Sequence, residues 1–422
     1  MENLGVEVKQ KSNKLWNKNF FLLWQGQLVS CLGDALYSIA LGFWVLEKTG
    51  SSAIMGTLMA SISIPRIIIG PFAGVLVDRF DRKKLIILGD LIRGLGMLFV
   101  AFGSYKGFLE VWMVMIIGIV SGICSSFFNP SIMSVMPDIV PSDKLVKANS
   151  AYQLATTSTS LVGNMSGGFL FSILGAPILF LINGVSYILS SVTEVFINIP
   201  KVERKNSEFK FKEDLTDGFK FVYKLKGIIW LIVFACFLNF LFGIFTILLM
   251  PWFSQDASLG VVKYGIMNAT MSMGMLSGMA LLSVVNIKCK DKFKILNLGL
   301  TICIAGIFIG TYTDNFYGIC GFYFVSLASM AISNTMLNTS LQIIVPQDMR
   351  GKVNSMVFTA SSAIQPIGVL LGGILGEFFY PRNVILVCFI IAMVLVIPIY
   401  FLKSTKKVLN FDPETQTLDD IL

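Results

Sequence analysis

Residues 140–150 read VPSDKLVKANS and residues 345–355 read VPQDMRGKVNS, so the pattern V-P-x-D-x-x-x-K-x-N-S is written twice. The offset between the two copies also aligns three glycines that follow each of them. These are Gly163, Gly167 and Gly168 after the first copy, and Gly368, Gly372 and Gly373 after the second. A match that continues without a gap at constant spacing indicates that the chain consists of two related halves.

The composition is typical of a membrane protein. Hydrophobic residues make up 55% of the chain and charged residues only 14%, whereas a soluble domain carries about 25% charged residues. Twelve apolar stretches are each long enough to cross a hydrocarbon core of about 30 Å as a helix. They lie at 19–46, 54–77, 85–104, 109–136, 144–172, 176–198, 228–253, 261–285, 294–312, 317–344, 351–379 and 383–402. We therefore predict an all-α polytopic membrane protein, with twelve transmembrane helices in two six-helix pseudo-symmetric bundles.

The distribution of Lys and Arg predicts the orientation of these helices. If the N-terminus is cytoplasmic, most of the 33 Lys and Arg residues lie on that side. The opposite side then holds only Lys48, Lys106, Lys263 and Arg382. Under the positive-inside rule both termini are cytoplasmic, and the net charge of +8 implies no nucleic-acid partner. The predicted regions are an N-terminal bundle (1–200), a basic cytoplasmic linker (201–226), a C-terminal bundle (227–403) and a disordered cytoplasmic tail (404–422).

Each copy of the repeated pattern lies in a short cytoplasmic turn between two predicted helices. Asp143 and Asp348 begin the following helix, where a carboxylate interacts favourably with the exposed N–H groups. Lys147 and Lys352 follow four residues later, which is the spacing of an ion pair on one helix face. We interpret both turns as structural elements retained after duplication of a six-helix unit.

Residues 70–85, GPFAGVLVDRFDRKKL, span the end of the second predicted helix and the turn to the third. They resemble the loop 2–3 signature of the major facilitator superfamily, roughly G-x-L-x-D-R-x-G-R-R/K. The matching residues are Gly74, Leu76, Asp78, Arg79, Arg82 and Lys83, and Asp81 stands where most members have Gly. Together with WQGQLVSCLGD and EKTGSS near helix 1, this form looks most like the drug-exporter branch that contains macrolide-efflux proteins.

This resemblance implies a secondary transporter rather than an enzyme, with neither a cofactor nor a metal. It implies an amphipathic small-molecule substrate, protons as the coupling ion, and a monomer in a bacterial cell membrane. Within the loop, Asp78 can accept hydrogen bonds from a neighbouring helix N-terminus. Arg79, Arg82 and Lys83 can hold the two halves together and contact anionic lipid headgroups. A plain positive-inside anchor is the alternative interpretation.

A second family signature lies in the fifth predicted helix. LVGNMSGGFL resembles the exporter motif G-P-x-x-G-G at Gly163, Gly167 and Gly168, with Asn164 in place of Pro. In relatives that motif is associated with antiport. Close helix packing through small residues is the alternative, and it accounts for the glycines without any transport role.

Ionisable residues inside the predicted helices are the candidates for a functional site, because a charge in the bilayer is costly and usually faces a cavity. Asp34 and Arg66 lie about midway along helices 1 and 2. They form a structural pair if their faces agree; we favour the other arrangement, in which Asp34 lines the central cavity and carries protons. Asp90 and Arg93 are three residues apart in helix 3, which predicts an ion pair. Glu194 and Glu377 lie nearer helix ends, where we expect them to reach water.

Other side-chain patterns contribute less to the prediction. Met271 and Met275 belong to a methionine stripe in helix 8 that could form a pliable substrate wall, although we favour ordinary helix packing as its explanation. The chain contains no His and no G-x-x-x-x-G-K-S/T motif, which argues against ATP hydrolysis.

The sequence thus predicts proton-coupled efflux of amphipathic drugs such as macrolides. The alternatives are an exporter of an endogenous metabolite such as a siderophore or lipid, an importer on the same fold, and a membrane-embedded enzyme or receptor.

Overall fold

The structure is a computed structural model that describes residues 14–77, 80–141, 144–199, 226–285, 289–345 and 363–411, and isolated residues at 223, 287, 353, 357, 361 and 416. Within these residues the chain is helical and contains no strand. This confirms the prediction of an all-α polytopic protein.

The long apolar helices follow the predicted stretches closely where the structure describes them. Most of 351–362, the first part of the predicted stretch 351–379, lies outside the described residues. The first four are α1 (Lys18–Thr49), α2 (Ser52–Val77), α3 (Arg82–Lys106) and α4 (Val111–Ile139). The helical run Leu145–Val195 bends at Gly175, whose φ of 71° favours glycine, and we divide it into α5 (145–174) and α6 (176–195). The others are α7 (Lys226–Gln255), α8 (Gly260–Val284), α9 (Lys292–Tyr312), α10 (Phe316–Ile344), α11 (Gln365–Phe378) and α12 (Pro381–Val396). A 3₁₀ turn (Ile397–Phe401) and α13 (Lys403–Leu409) follow.

The helices pack into two compact units. Unit 1 comprises Met1–Ser38, Ile68–Gly163 and Ala176–Ser207, and unit 2 comprises Ile39–Ile67, Asn164–Gly175 and Glu208–Leu422. The boundaries between the two units fall within α1, α2 and α5, whereas the boundary between the two predicted bundles lies between α6 and α7. The two partitions differ because one describes packing and the other describes descent from a duplicated sequence.

Two pairs of facing glycines explain why parts of α2 and α5 belong to unit 2. A Cβ on Gly168 of α5 would lie 2.8 Å from the Cα of Gly265 in α8. A Cβ on Gly56 of α2 would lie 2.9 Å from the Cα of Gly373 in α11. Only glycine permits two helix backbones to approach this closely.

The repeated glycines have equivalent neighbours in the two halves. Gly163 and Gly167 of α5 pack on α1, whereas Gly368 and Gly372 of α11 pack on α7. Glycines that align in the sequence therefore contact helices that are themselves equivalent. This supports the interpretation that α7–α12 repeat α1–α6.

Candidate functional site

The candidate site in unit 1 lies where α1 packs closely on α6. A Cβ on Gly33 would lie 2.5 Å from Asn183 Oδ1, and a Cβ on Gly26 would lie 2.8 Å from Ser190 Oγ. These two α1 glycines, both on the N-terminal side of Asp34, leave room for the polar side chains of α6. The short helix–helix distance thus brings Asp34 within hydrogen-bonding reach of α6.

Asp34 accepts hydrogen bonds from two α6 side chains. The phenol of Tyr187 donates to Asp34 Oδ1 over 2.6 Å, and the amide of Asn183 donates to the same oxygen over 3.4 Å. Asp34 is exposed, whereas Asn183 and Tyr187 are buried. A titratable carboxylate is therefore accessible on one side and connected to the interior of unit 1 on the other.

Arg93 of α3 is the buried cation on which this arrangement depends. Its guanidinium forms an ion pair with Asp90, as the three-residue spacing predicts, and donates to Tyr187 Oη over 3.2 Å. The Nε atom donates to the carbonyl of Gly89 over 3.1 Å. The guanidinium carbon also lies 4.5 Å from the ring centroids of both Phe128 and Tyr187, within the range of cation–π attraction. Arg93 is thus held by a carboxylate, a phenol, a carbonyl and two aromatic rings.

The interior end of the arrangement contains a second carboxylate. Glu194 is only 1% exposed, so the expectation that it reaches water was wrong. The hydroxyl of Ser190 donates to Glu194 Oε1 over 3.2 Å. The Ser190 side chain also lies within hydrogen-bonding range of Asp90. We call this chain of side chains the polar network, and it consists of Asp34, Tyr187, Arg93, Asp90, Ser190 and Glu194.

Asn183, Tyr187 and Ser190 of α6, which contact Asp34 or Glu194, were not among the residues predicted from the sequence. Asn183, Tyr187, Ser190 and Glu194 follow one another at intervals of four, three and four residues, so they lie on one helix face. That periodic polar stripe within an apolar stretch was the available signal.

Unit 2 contains an apolar cavity of about 120 Å³ between α7, α9, α10 and α12. Its polar lining groups are Asn239, Ser333 and Asn334. Asn297 of α9 is buried and directly follows the lining residue Leu296. Neither the nitrogen nor the oxygen of its side-chain amide has a hydrogen-bond partner among the described residues. Met271 and Met275 are not among the lining residues, so the described cavity does not include the methionine stripe.

The loop 2–3 motif is described only in part. Gly74 lies within α2, whereas Asp78 and Arg79 lie outside the described residues. Asp81 caps α3 by accepting hydrogen bonds from the backbone N–H groups of Lys83 and Lys84. This helix-capping role explains why a residue other than Gly is favourable here.

Two basic residues of the motif make contacts within unit 1. Arg82 forms an ion pair with Asp138, with 3.2 Å between Nη1 and Oδ2. The ammonium of Lys83 donates to the carbonyl of Val195 over 2.7 Å. These contacts connect the start of α3 to the ends of α4 and α6.

The remaining predicted residues are dispersed. Lys147 is exposed on α5, and Arg66 is exposed on α2 within unit 2. Asn164 is half-buried beside the packed glycines of α5. Asp143, Asp348 and Lys352 lie outside the described residues. Among the described residues, no group of three or more His, Cys, Asp or Glu side chains is arranged to hold a metal ion.

Comparison with known proteins identifies related efflux proteins and transporters. The chain is 26% identical over 372 residues to macrolide efflux protein A of Streptococcus pyogenes, which covers 86% of this chain and 90% of that protein. It is 27% identical over 221 residues to multidrug resistance protein 2 of Bacillus subtilis, covering 51% of this chain and 54% of that protein.

The fold also matches solved transporter structures. A bacterial homologue of the human lysosomal transporter Spinster, in an inward-facing and occupied conformation, superposes with a TM-score of 0.70 at 15% identity. The alignment covers 93% of this chain and 98% of that one. The family model described as Major Facilitator Superfamily matches residues 23–368. Because this match spans most of the chain, the chain belongs to the major facilitator superfamily and is a multi-pass membrane transporter rather than an enzyme.

Proposed function

We propose that this chain is a proton-coupled exporter of amphipathic compounds such as macrolides. It acts as a monomer in a bacterial cell membrane, with both termini in the cytoplasm and Asp34 as a proton carrier. The observation that carries the proposal is the position of Asp34, an exposed carboxylate whose oxygen is hydrogen-bonded to buried Tyr187. The macrolide-efflux and multidrug-resistance names of the relatives support the substrate class.

The contacts of Asp34 suit a group that gains and loses a proton. Tyr187 and Asn183 are neutral donors, so these two hydrogen bonds stabilise the carboxylate without neutralising its charge. Asp34 is also exposed, so a proton or a cationic substrate can reach it. We assign to it the exchange of a proton for a substrate that antiport requires.

The cavity in unit 2 supports an amphipathic substrate. A cavity of about 120 Å³ is smaller than the roughly 300–1,000 Å³ of a complete drug site. It is close in size to the roughly 150 Å³ cavity that accommodates a benzene ring. We therefore assign it to one apolar arm of the substrate, with Asn239 and Asn334 available to its polar part.

The test is transport in proteoliposomes with an imposed pH gradient. Wild-type protein should concentrate a radiolabelled macrolide when the gradient is present, and an uncoupler should abolish this accumulation. Asp34→Asn should lose gradient-driven accumulation while it retains substrate binding and downhill flux. Asp314→Asn changes a carboxylate that is 90% exposed and should behave as wild type.

Two results would contradict the proposal. One is ATP-driven accumulation by the purified protein without any ion gradient. The other is gradient-driven accumulation by Asp34→Asn at the level of Asp314→Asn.

A further inference from the structure

Among the described residues of unit 1, two buried carboxylates, Asp90 and Glu194, lie beside one buried cation, Arg93. Asp90 is 0% exposed and Glu194 is 1% exposed, and they lie on neighbouring helices within electrostatic range of each other. Arg93 is the buried cation beside them, and its guanidinium is paired with Asp90. If both carboxylates were ionised, the pair would retain one uncompensated buried negative charge.

The hydrogen bonds also leave one oxygen of each carboxylate without a partner. Asp90 Oδ2 and Glu194 Oε2 are buried and accept no hydrogen bond from any residue that the structure describes. Ser190 supplies a single hydroxyl proton, which it donates to Glu194 Oε1. An ionised carboxylate with an unpaired buried oxygen is strongly destabilised, because the charge has left water without gaining the partners that would compensate for it.

We propose that Asp90 and Glu194 together form a second proton-binding site, in which Glu194 holds the proton while Arg93 pairs with Asp90. A proton on Glu194 removes the uncompensated charge and converts an unpaired acceptor into a donor. This site is distinct from Asp34, and its occupancy does not depend on the transport cycle proposed above.

The other titratable and charged side chains that face the site do not balance the remaining negative charge. Among the described residues, the titratable and charged side chains around Asp90 and Glu194 are Asp34 and Cys31 of α1, Arg93 of α3, Cys124 of α4, Tyr152 of α5 and Tyr187 of α6. Arg93 is the cation in this group. Lys83 also belongs to α3, but its ammonium donates to the Val195 carbonyl at the end of α6.

A metal cation fits the site less well than a proton. Hard cations such as Ca²⁺ take about six to eight oxygen ligands. The site presents two unpartnered carboxylate oxygens and the Ser190 hydroxyl. A proton needs only the two carboxylates and therefore matches the ligands that are present.

Infrared difference spectroscopy on the full-length protein in lipid nanodiscs tests this inference directly. At neutral pH the wild-type protein should show the C=O stretch of a buried carboxylic acid. Glu194→Gln should lose this band, and Glu110→Gln, which changes an exposed carboxylate, should retain it. Asp90→Asn should also lose the band, because Arg93 is then free to pair with an ionised Glu194.

Isotope labelling keeps the test decisive if Glu194→Gln fails to fold. In wild-type protein made with ¹³C-carboxyl glutamate, the band should shift, because the proton is on a glutamate. An absent band, or one unaffected by the label, would overturn the inference. So would a band that disappears when sodium chloride replaces choline chloride, since this would show a cation in place of the proton. None of these readouts requires transport, so failure of the efflux proposal would be recognised separately.

Discussion

Replacing Gly56 with Ala should weaken the contact between α2 and α11 in a measurable way. A Cβ at this position would lie 2.9 Å from both the Cα of Gly373 and the carbonyl oxygen of Val369. Ordinary van der Waals contact begins at 3.4 Å, so the two backbones must separate by about half an ångström. The nearby hydrogen bond from Ser52 Oγ to the Gly373 carbonyl, now 2.9 Å, would lengthen as they separate.

The expected loss of packing free energy follows from the effect of overpacking in other protein cores. Adding a methyl group to a tightly packed contact costs about 1–3 kcal/mol. Each 1.4 kcal/mol corresponds to about a tenfold change in an equilibrium, so the population with α2 and α11 in contact should fall by about fivefold or more. Transporters of this fold alternate between conformations, and we therefore expect slower export together with the population shift.

Cross-linking between α2 and α11 measures this population. Ser51 Oγ donates to Glu377 Oε2 over 2.8 Å, so cysteines at 51 and 377 can be joined by a short bifunctional reagent. The measurement needs a background in which the seven native Cys are replaced by Ser. Gly70→Ala is the matched control, because a Cβ at Gly70 in the same helix meets no atom within 4 Å. Equal cross-linking of the Gly56 and Gly70 variants would refute the packing argument.

Two further substitutions test contacts within the separate units. Tyr187→Phe removes the hydroxyl that bonds both Asp34 and Arg93, and hydrogen bonds to charged groups contribute about 1.5–3 kcal/mol each. It should lower thermal stability and reduce gradient-driven uptake at least about tenfold with substrate affinity retained; wild-type uptake would show that the phenol has no part in coupling. Arg382 donates to the carbonyls of Thr311 and Tyr312 at the end of α9 over 2.7 Å, so Arg382→Ala should cost about 1–3 kcal/mol of unfolding free energy. Asp314→Ala removes only its exposed ion-pair partner and should cost less than about 1 kcal/mol; similar melting shifts for both variants would contradict this division.

Features that depend on local spacing were predictable from the sequence. The helices follow from apolar runs of sufficient length, and the ion pair of Asp90 with Arg93 follows from their separation by three residues. Close packing through small residues was one interpretation of the helix 5 glycines, and Gly168 and its repeat equivalent Gly373 each face a glycine of another helix. In each of these cases the information lies within one helix or in the comparison of two copies.

Features that depend on which helix faces meet were not predictable in this way. Nothing in the spacing of Asp34 identifies Tyr187 or Asn183 as its partners, because they lie on a helix distant in sequence. The burial of Glu194 likewise depends on which helix faces meet. It lies near the end of α6, yet neighbouring helices cover it. A helix end reaches water only where no other element packs over it.

The departure from the family motif at Asp81 has a local explanation. The loop signature alone cannot show why an acid replaces glycine there. In the structure the carboxylate accepts bonds of 3.0 and 3.3 Å from the N–H groups of Lys83 and Lys84. Side chains that cap a helix contribute about 0.5–2 kcal/mol. Aspartate is therefore favourable wherever the turn permits an extended residue before the helix.

The internal repeat also explains why unit 2 has a cavity where unit 1 has a polar network. At the offset of the repeat, Phe128 corresponds to Ser333 and Tyr187 to Ala392, and both of the second-half residues line the cavity.

Two large side chains of the first half, Phe128 and Tyr187, thus correspond to two small ones in the second half, and the cavity beside these small residues is lined mainly by apolar side chains. Asp34 corresponds at the same offset to Asn239, so this position keeps a polar group but loses its charge. A cavity with such a lining binds apolar groups without the cost of desolvating a charge. We infer that the two halves diverged after the duplication. The first half now carries the charges to which we assign proton binding, and the second half has the cavity that we assign to an apolar arm of the substrate.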